Sequence, residues 1–151
     1  MLPFHKVLCP LDFSEPSYKA LNSAAELASH FGAELVIVHV IPTPVPGIPA
    51  DPTYAFAGPE EYEKALRANA KEQLALALQR LPEGLRLRTA IGSGDAADEI
   101  ARLATAEAAD LIVIATHGLT GWRHLVFGSV AERVIRLADR PVLVVPVHEP
   151  K

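Results

Sequence analysis

Cysteine is nearly absent from this chain. Cys9 stands alone, so no disulfide can form within the chain, and its place in the apolar run Val7-Leu8-Cys9 predicts a small buried side chain, not a nucleophile or metal ligand. Methionine and tryptophan occur once each. Side-chain amides are confined to Asn22, Asn69, Gln73 and Gln79, a scarcity that accompanies adaptation to heat in some proteins. A basic excess is also missing: 14 Lys and Arg against 18 Asp and Glu give a formal net charge of -4. That balance removes the electrostatic drive toward DNA or RNA, so no nucleic-acid partner is expected. No apolar run is long enough to cross a bilayer, and Met1 to Lys6 lead directly into a strand-like run without the apolar stretch of a signal peptide. The reading is a cytoplasmic protein with no membrane partner.

What remains is ample for a core. The 151 residues are 50% hydrophobic, the size and composition of one globular domain, taken here as 1–151. Apolar runs of strand length occur at His5 to Cys9, Leu35 to Ile41, Leu85 to Ile91, Leu111 to Ala115 and Val142 to Val147. Helical patterns lie between them. Ser14 is a natural N-cap with Pro16 in the first turn, and Tyr18, Leu21, Ala25, Ala28 and Phe31 then recur on one face until Gly32. A second stripe runs from Tyr62 through Leu66, Ala70, Leu74 and Ala77 to Leu81, where Pro82 stops it. Asp95 is expected to cap Ala96 to Glu107, and Ser129 to cap Val130 to Ala138 ahead of Pro141.

Strand alternating with helix predicts a parallel sheet covered on both faces, with right-handed crossovers. Leu85, Leu87, Thr89 and Ile91 alternate with Arg86, Arg88 and Ala90, the pattern of an edge strand. The continuous runs Leu35 to Val38 and Leu111 to Ile114 read as central strands. Pro42, Pro44, Pro46, Pro49, Pro52 and Pro59 mark an extended excursion between a strand and a helix, read as a solvated connector or, at its tip, a lid or partner contact.

Ligands of such sheets bind beyond the carboxyl ends of the strands, where strand order reverses. That edge comprises Pro10-Leu11-Asp12, Val40-Ile41-Pro42, Gly92-Ser93-Gly94 and Ala115-Thr116-His117-Gly118. The segment from Ile114 to Ala131 reads as a strand, a glycine-bearing loop and a helix start. At its far end Gly128 admits close approach to the backbone, and Ser129 opens a helix whose first N–H groups lack intrahelical partners. A phosphate is the natural guest of such a corner.

Competing motifs are weaker. Gly92-Ser93-Gly94-Asp95-Ala96-Ala97 imitates a dinucleotide fingerprint, but the next strand ends in Ala115-Thr116 with no acidic residue for a ribose, so a tight turn with an Asp95 cap accounts for it. Neither G-x-x-x-x-G-K-S/T nor G-x-S-x-G is present. His5, His30, His39, His117, His124 and His148 show no metal-ligand spacing. His39 reads as a packed strand-end residue. His117, Arg123 and His124 flank the phosphate corner, and Trp122, Leu125, Val126 and Phe127 read as anchors for the loop.

Pro10-Leu11-Asp12-Phe13-Ser14 after the first strand, His39-Val40 late in the second, and the glycine segment together resemble the universal stress protein family over essentially the whole chain. Nucleotide-binding members carry Gly-x2-Gly-x9-Gly-Ser/Thr; here the stretch is Ala115-x2-Gly118-x9-Gly128-Ser129, with alanine in place of the first glycine. The resemblance implies that Asp12 and Val40 flank an adenosine, Asp12 accepting from a ribose hydroxyl or the adenine amine, with Pro10 and Leu11 on the same side. It implies that Ile114, Ala115 and Gly118 wall the ribose and phosphates, and that Gly128, Ser129, Val130 and Ala131 meet the phosphate chain. Ala131 stands where the family often has a hydroxyl. A Mg2+ ion held through phosphates and water is part of the same expectation.

The expectation for the whole is a single three-layer α/β domain with a five-stranded parallel sheet in the order 3-2-1-4-5. The last strand leaves an edge open for a second copy, so a homodimer is expected. The functional expectation is an adenine-nucleotide sensor in stress response, ATP being the preferred ligand. The alternatives are a non-nucleotide-binding interaction protein of the same fold and a slow ATPase, for which no general base is apparent.

Overall fold

The computed structural model, which describes residues 1–43, 58–116 and 128–147, places every predicted strand and helix in the expected sequence. In chain order these are β1 (Lys6–Pro10), α1 (Glu15–Phe31), β2 (Glu34–Ile41), α2 (Pro59–Gln79), β3 (Arg86–Ser93), α3 (Ala96–Ala106), β4 (Leu111–Ala115), α4 (Ser129–Leu137) and β5 (Val142–Val145). All strand pairs are parallel and the order is β3-β2-β1-β4-β5, as expected. No helix among the described residues is long and apolar enough to cross a membrane.

The continuous apolar runs follow from helices on both faces. Side chains alternate across a strand, so β1 sends Val7 and Cys9 to one core and Leu8 to the other. On β2, Leu35 and Ile37 part from Val36 and Val38; on β4, Leu111 and Val113 part from Ile112 and Ile114. Ala20, Leu21, Ala24 and Ala28 of α1, with Leu74 and Ala77 of α2, close the first core. Ala97, Ile100, Leu103 and Ala104 of α3, with Ala131 and Val134 of α4, close the second. The many alanines let the helices lie close to the sheet. Cys9 is fully buried, and burial pushes its thiol pKa far above the ordinary value, which removes it from nucleophilic chemistry.

Ends of elements obey local chemistry. Ser14 caps α1, its Oγ accepting from the Ser17 N–H at 3.3 Å, and Gly32 closes the helix at φ 62°. Asp95 caps α3, accepting from the Asp98 N–H at 3.1 Å. β3 runs on to Ser93 because its pairing with β2 continues that far, beyond the Ile91 at which the alternation ends. β5 stops at Val145 rather than Val147: Pro146 has no N–H to give the ladder, and the Val147 N–H goes to Thr116 Oγ1 at 3.3 Å. The expected cap of α4 needs correction. Gly128 is the N-cap and Ser129 the first helical residue, and Gly128 has no side chain to give a cap hydrogen bond.

Candidate functional site

Chain order reverses between β1 and β4: from β1 the chain moves outward to β2 and β3, then returns to add β4 and β5 on the other side. Beyond the carboxyl ends of β1, β2 and β4 lies a cavity of about 450 Å³. β1 and the turn after it contribute Pro10, Leu11 and Asp12; β2 contributes Val38, His39 and Val40, followed by Pro42. β4 supplies Ile114, Ala115 and then Thr116, and the start of α4 supplies Gly128, Ser129, Val130 and Ala131. Ser17 of α1 and Ala96 and Ile100 of α3 complete the lining. The walls are mainly apolar with a few polar groups, the usual make-up of a small-molecule site.

The turn after β1 presents Asp12. The Leu11 N–H donates to the Val38 carbonyl at 2.8 Å, tying the turn to β2. Phe13 adopts φ 66°, left-handed backbone that a residue with a Cβ adopts only when its surroundings enforce it. Asp12 Oδ1 then accepts the Ser14 N–H at 3.0 Å and also the Ser14 hydroxyl, so the cap residue of α1 orients the carboxylate. His39 contacts the same turn, its Nδ1 lying 2.8 Å from the Leu11 carbonyl oxygen.

The opposite wall is the start of α4. Gly128 has φ -68° and ψ 151°, extended backbone open to any residue, so what distinguishes the glycine is its missing side chain. Its N–H donates to the Thr116 carbonyl, which couples the helix start to the end of β4. Thr116 also donates its N–H to the Val145 carbonyl at 3.1 Å, joining that corner to β5. Ala115, the alanine at a glycine position of the family pattern, is an ordinary strand residue paired with Val145 and buried. Its backbone has no positive φ, so no glycine is needed there for conformational reasons.

All of the predicted site residues that lie among the described residues line this one cavity. Gly118 lies outside the described residues, as do His117, Trp122, Arg123, His124, Leu125, Val126, Phe127 and the 44–57 part of the proline-rich segment. Pro42 and Thr116, named from sequence only as members of the ligand-binding edge, line the cavity too, as do Ser17, Val38, His39, Ala96 and Ile100, which sequence did not assign to the site. A signal existed for some of them: Ser17 is three residues past the Ser14 cap, and Ala96 opens the helix that starts at the same sheet edge. For Val38 and Ile100 there was none, because an apolar residue lining a cavity and one packed in a core look alike in sequence.

The Gly92-Ser93-Gly94 turn has structural causes. A Cβ on Gly92 would stand 2.6 Å from Glu99 Oε2, and Gly94 has φ 126°. A shallower groove of about 290 Å³, bordered by Thr43, Gly94 and Asp95, adjoins the main cavity and shares Val40, Pro42 and Ala96 with it. At its rim Arg133 of α4 reaches Asp95 at 2.8 Å and Asp98 at 3.3 Å. The Arg133 hydrogen bond, followed by that from the Asp98 N–H, holds the Asp95 carboxyl below the usual carboxylate range. Among the described residues no three His, Cys, Asp or Glu side chains converge to hold a metal ion.

Comparison with known proteins gives the same picture. Residues 3–146 match the universal stress protein family. The universal stress protein MJ0531 of Methanocaldococcus jannaschii is 35% identical over 144 residues, covering 94% of this chain and 82% of that protein. The solved structure of MJ0577, a universal stress protein of the same organism, superposes with a TM-score of 0.82 at 28% identity, covering 97% of this chain and 98% of the other. A universal stress protein from Archaeoglobus fulgidus in complex with dAMP superposes with a TM-score of 0.61 at 25% identity, covering 95% of this chain and 98% of that one.

Proposed function

The chain belongs to the universal stress protein family, and from that premise we propose that it binds an adenine nucleotide, ATP by preference, as a nucleotide-dependent sensor in stress response. One observation carries the reading: the start of α4, with glycine at its cap position and no side-chain cap, opens into a cavity whose other wall presents Asp12. The first N–H groups of a helix and its dipole favour an anion, and the Asp12 carboxylate in the same lining favours hydroxyl or amine donors. A nucleotide has both chemistries at opposite ends. A relative that takes up dAMP supports the adenine class.

In this reading the nucleoside lies between Pro10, Leu11, Asp12 and Val40, the ribose and first phosphates pass Ile114, Ala115 and Gly118, and the phosphate chain meets Gly128, Ser129, Val130 and Ala131. Mg2+ would be held through phosphate oxygens and water, since no converging metal ligands stand among the described residues. A homodimer through β5 belongs to the same proposal. β5 pairs with β4 on one side only, and Leu143 on it, with Ile135 and Leu137 of α4, is a large exposed apolar side chain.

Calorimetric titration of nucleotide-stripped protein with Mg-ATP, AMP and GTP tests the reading. Saturable binding of ATP and AMP with weaker GTP supports it. No binding by folded protein overturns it and leaves an interaction protein of the same fold. Light scattering at high protein concentration tests the dimer, which a mass of one chain excludes.

A further inference from the structure

His39 does more than fill space at the end of a strand. It lies on β2 between Val38 and Val40, and like them it lines the cavity. Its Nδ1 is 2.8 Å from the Leu11 carbonyl oxygen. A carbonyl oxygen only accepts, so Nδ1 carries the ring proton and the tautomer is set by this contact. The ring also lies on Phe13, centroid to centroid 4.6 Å with a 32° tilt. Phe13 is the left-handed residue of the turn, at φ 66°.

Leu11 is therefore pinned from both sides by β2: its N–H by the Val38 carbonyl, its carbonyl by His39. Asp12 sits between this pinned residue and Phe13, whose unfavourable backbone angle the His39 ring helps to hold. Within the turn the bond from the Ser14 N–H to Asp12 Oδ1 also spans Phe13, so the His39 ring acts together with it.

We propose that His39 is a positioning residue for the nucleoside end of the ligand, holding the Leu11–Phe13 turn, and Asp12 with it, in the geometry that receives a ribose or base. This rests on the nucleotide reading above. It has a signature that separates it from the phosphate corner: because His39 acts on Asp12, its loss weakens adenosine and ATP by the same factor.

The test uses the full chain with two substitutions. His39→Phe keeps a flat ring against Phe13 and removes the donor; His39→Asn keeps an N–H donor at the same branch point and removes the ring. In the nucleotide-free protein, 15N spectroscopy of the His39 ring is expected to show the proton on Nδ1. Adenosine and Mg-ATP affinities are each expected to fall about threefold to tenfold in His39→Phe, the worth of one hydrogen bond, and to recover in part in His39→Asn. Thermal melting establishes that each variant is folded. A ring protonated on Nε2 and not on Nδ1, unchanged affinities in folded His39→Phe, or a loss for ATP without one for adenosine overturns the proposal alone. Wild-type protein that takes up neither ligand overturns the nucleotide reading and this proposal with it.

Discussion

The two ends of the sheet are finished differently. At the amino end, loop groups are satisfied by the chain itself. Asp110 Oδ2 accepts from the N–H groups of His5 at 2.6 Å and Lys6 at 2.8 Å, and the Asp110 N–H donates back to the Lys6 carbonyl. Arg140 reaches the Ala109 carbonyl, Arg86 the Gly32 carbonyl, and Lys6 pairs with Glu34 at 3.1 Å. At the carboxyl end α1 and α3 begin under Ser14 and Asp95, whereas α2 and α4 begin under glycines, Gly58 and Gly128, and of these two it is Gly128 that lines the cavity. The α4 start, Gly128 to Ala131, lines the cavity, at the end of a helix where the first N–H groups have no intrahelical partner.

The sharpest way to break this contrast is to fill the opening. Gly128→Val is conformationally permitted at φ -68°, so the fold is expected to persist while the branched side chain crowds the helix start. Losing two charge-assisted hydrogen bonds of about 1.5–3 kcal/mol each should weaken Mg-ATP by on the order of a hundredfold or more. Adenosine, lacking phosphates, should lose far less. Calorimetry that returns the same ATP affinity for Gly128→Val and wild type would mean that the phosphates do not meet α4.

The next effect belongs to the closed end. Asp110→Asn keeps one acceptor oxygen but loses the charge, and should cost about 1–2 kcal/mol at neutral pH, a few degrees in Tm, without altering nucleotide affinity. Its pH dependence has a definite sign. Burial pushes the Asp110 carboxyl up, but the hydrogen bonds from His5 and Lys6 N–H, with the charges of His5 and Arg140, outweigh it, and the net shift is downward. A lowered folded-state pKa gives stability that is full above the unfolded value near 3.9 and is lost as pH falls through the folded value. The gap in Tm between wild type and Asp110→Asn should therefore stay level from about pH 7 to 5 and close below about pH 4. A gap that persists at pH 2 would assign the bond no charge-dependent part.

This contrast between ends also marks what sequence could and could not disclose. The cores were legible because period and burial coincide: Leu35 to Val38 is apolar throughout because α1 and α2 cover one face of β2 and α3 the other, and Arg86 and Arg88 mark β3 as the edge. The cavity wall was legible where a residue type has few reasons to occur, as with Asp12 after β1 or glycine before a helix. The cap assignment at Ser129 missed by one residue because serine is a strong cap by propensity, while the local geometry put Gly128 at the half-in position. Asp110 carries no signal in the sequence, since its partners are backbone groups more than a hundred residues away, and long-range pairing leaves no periodic trace. His39 was read as packing because the carbonyl it binds belongs to a turn that sequence does not bring beside it.

A capped helix at the same edge supplies the control for the open one. Asp95→Ala removes the bond to the Asp98 N–H and should cost about 1 kcal/mol of stability, read as a shift in the urea midpoint. Because α3 meets the cavity through Ala96 and Ile100 and not through its cap, ATP affinity should stay within about twofold. A tenfold loss of affinity would make the α3 start part of the ligand site and erase the distinction between the two helices.

The smallest effect is expected from Arg133, and its smallness is informative. Its guanidinium joins α4 to the α3 start through Asp95 and Asp98, but all three side chains are about half exposed or more, and exposed pairs are typically worth little because they order long side chains in a screening solvent. Arg133→Ala leaves the Asp95 bond to the Asp98 N–H intact, so the cap survives and stability should barely fall, a difference that molar salt should erase. The acid limb carries the complementary sign. Asp95 titrates below the usual carboxylate range chiefly through Arg133, so removing the arginine should raise its pKa toward the ordinary value, with the cap then weakening at higher pH on acidification than in wild type. If Arg133→Ala instead lowers ATP affinity at low salt while leaving stability unchanged, the guanidinium acts on the phosphate corner one turn before it, and the ion pair with Asp95 is the ligand-free position of a side chain that the open end of the sheet recruits.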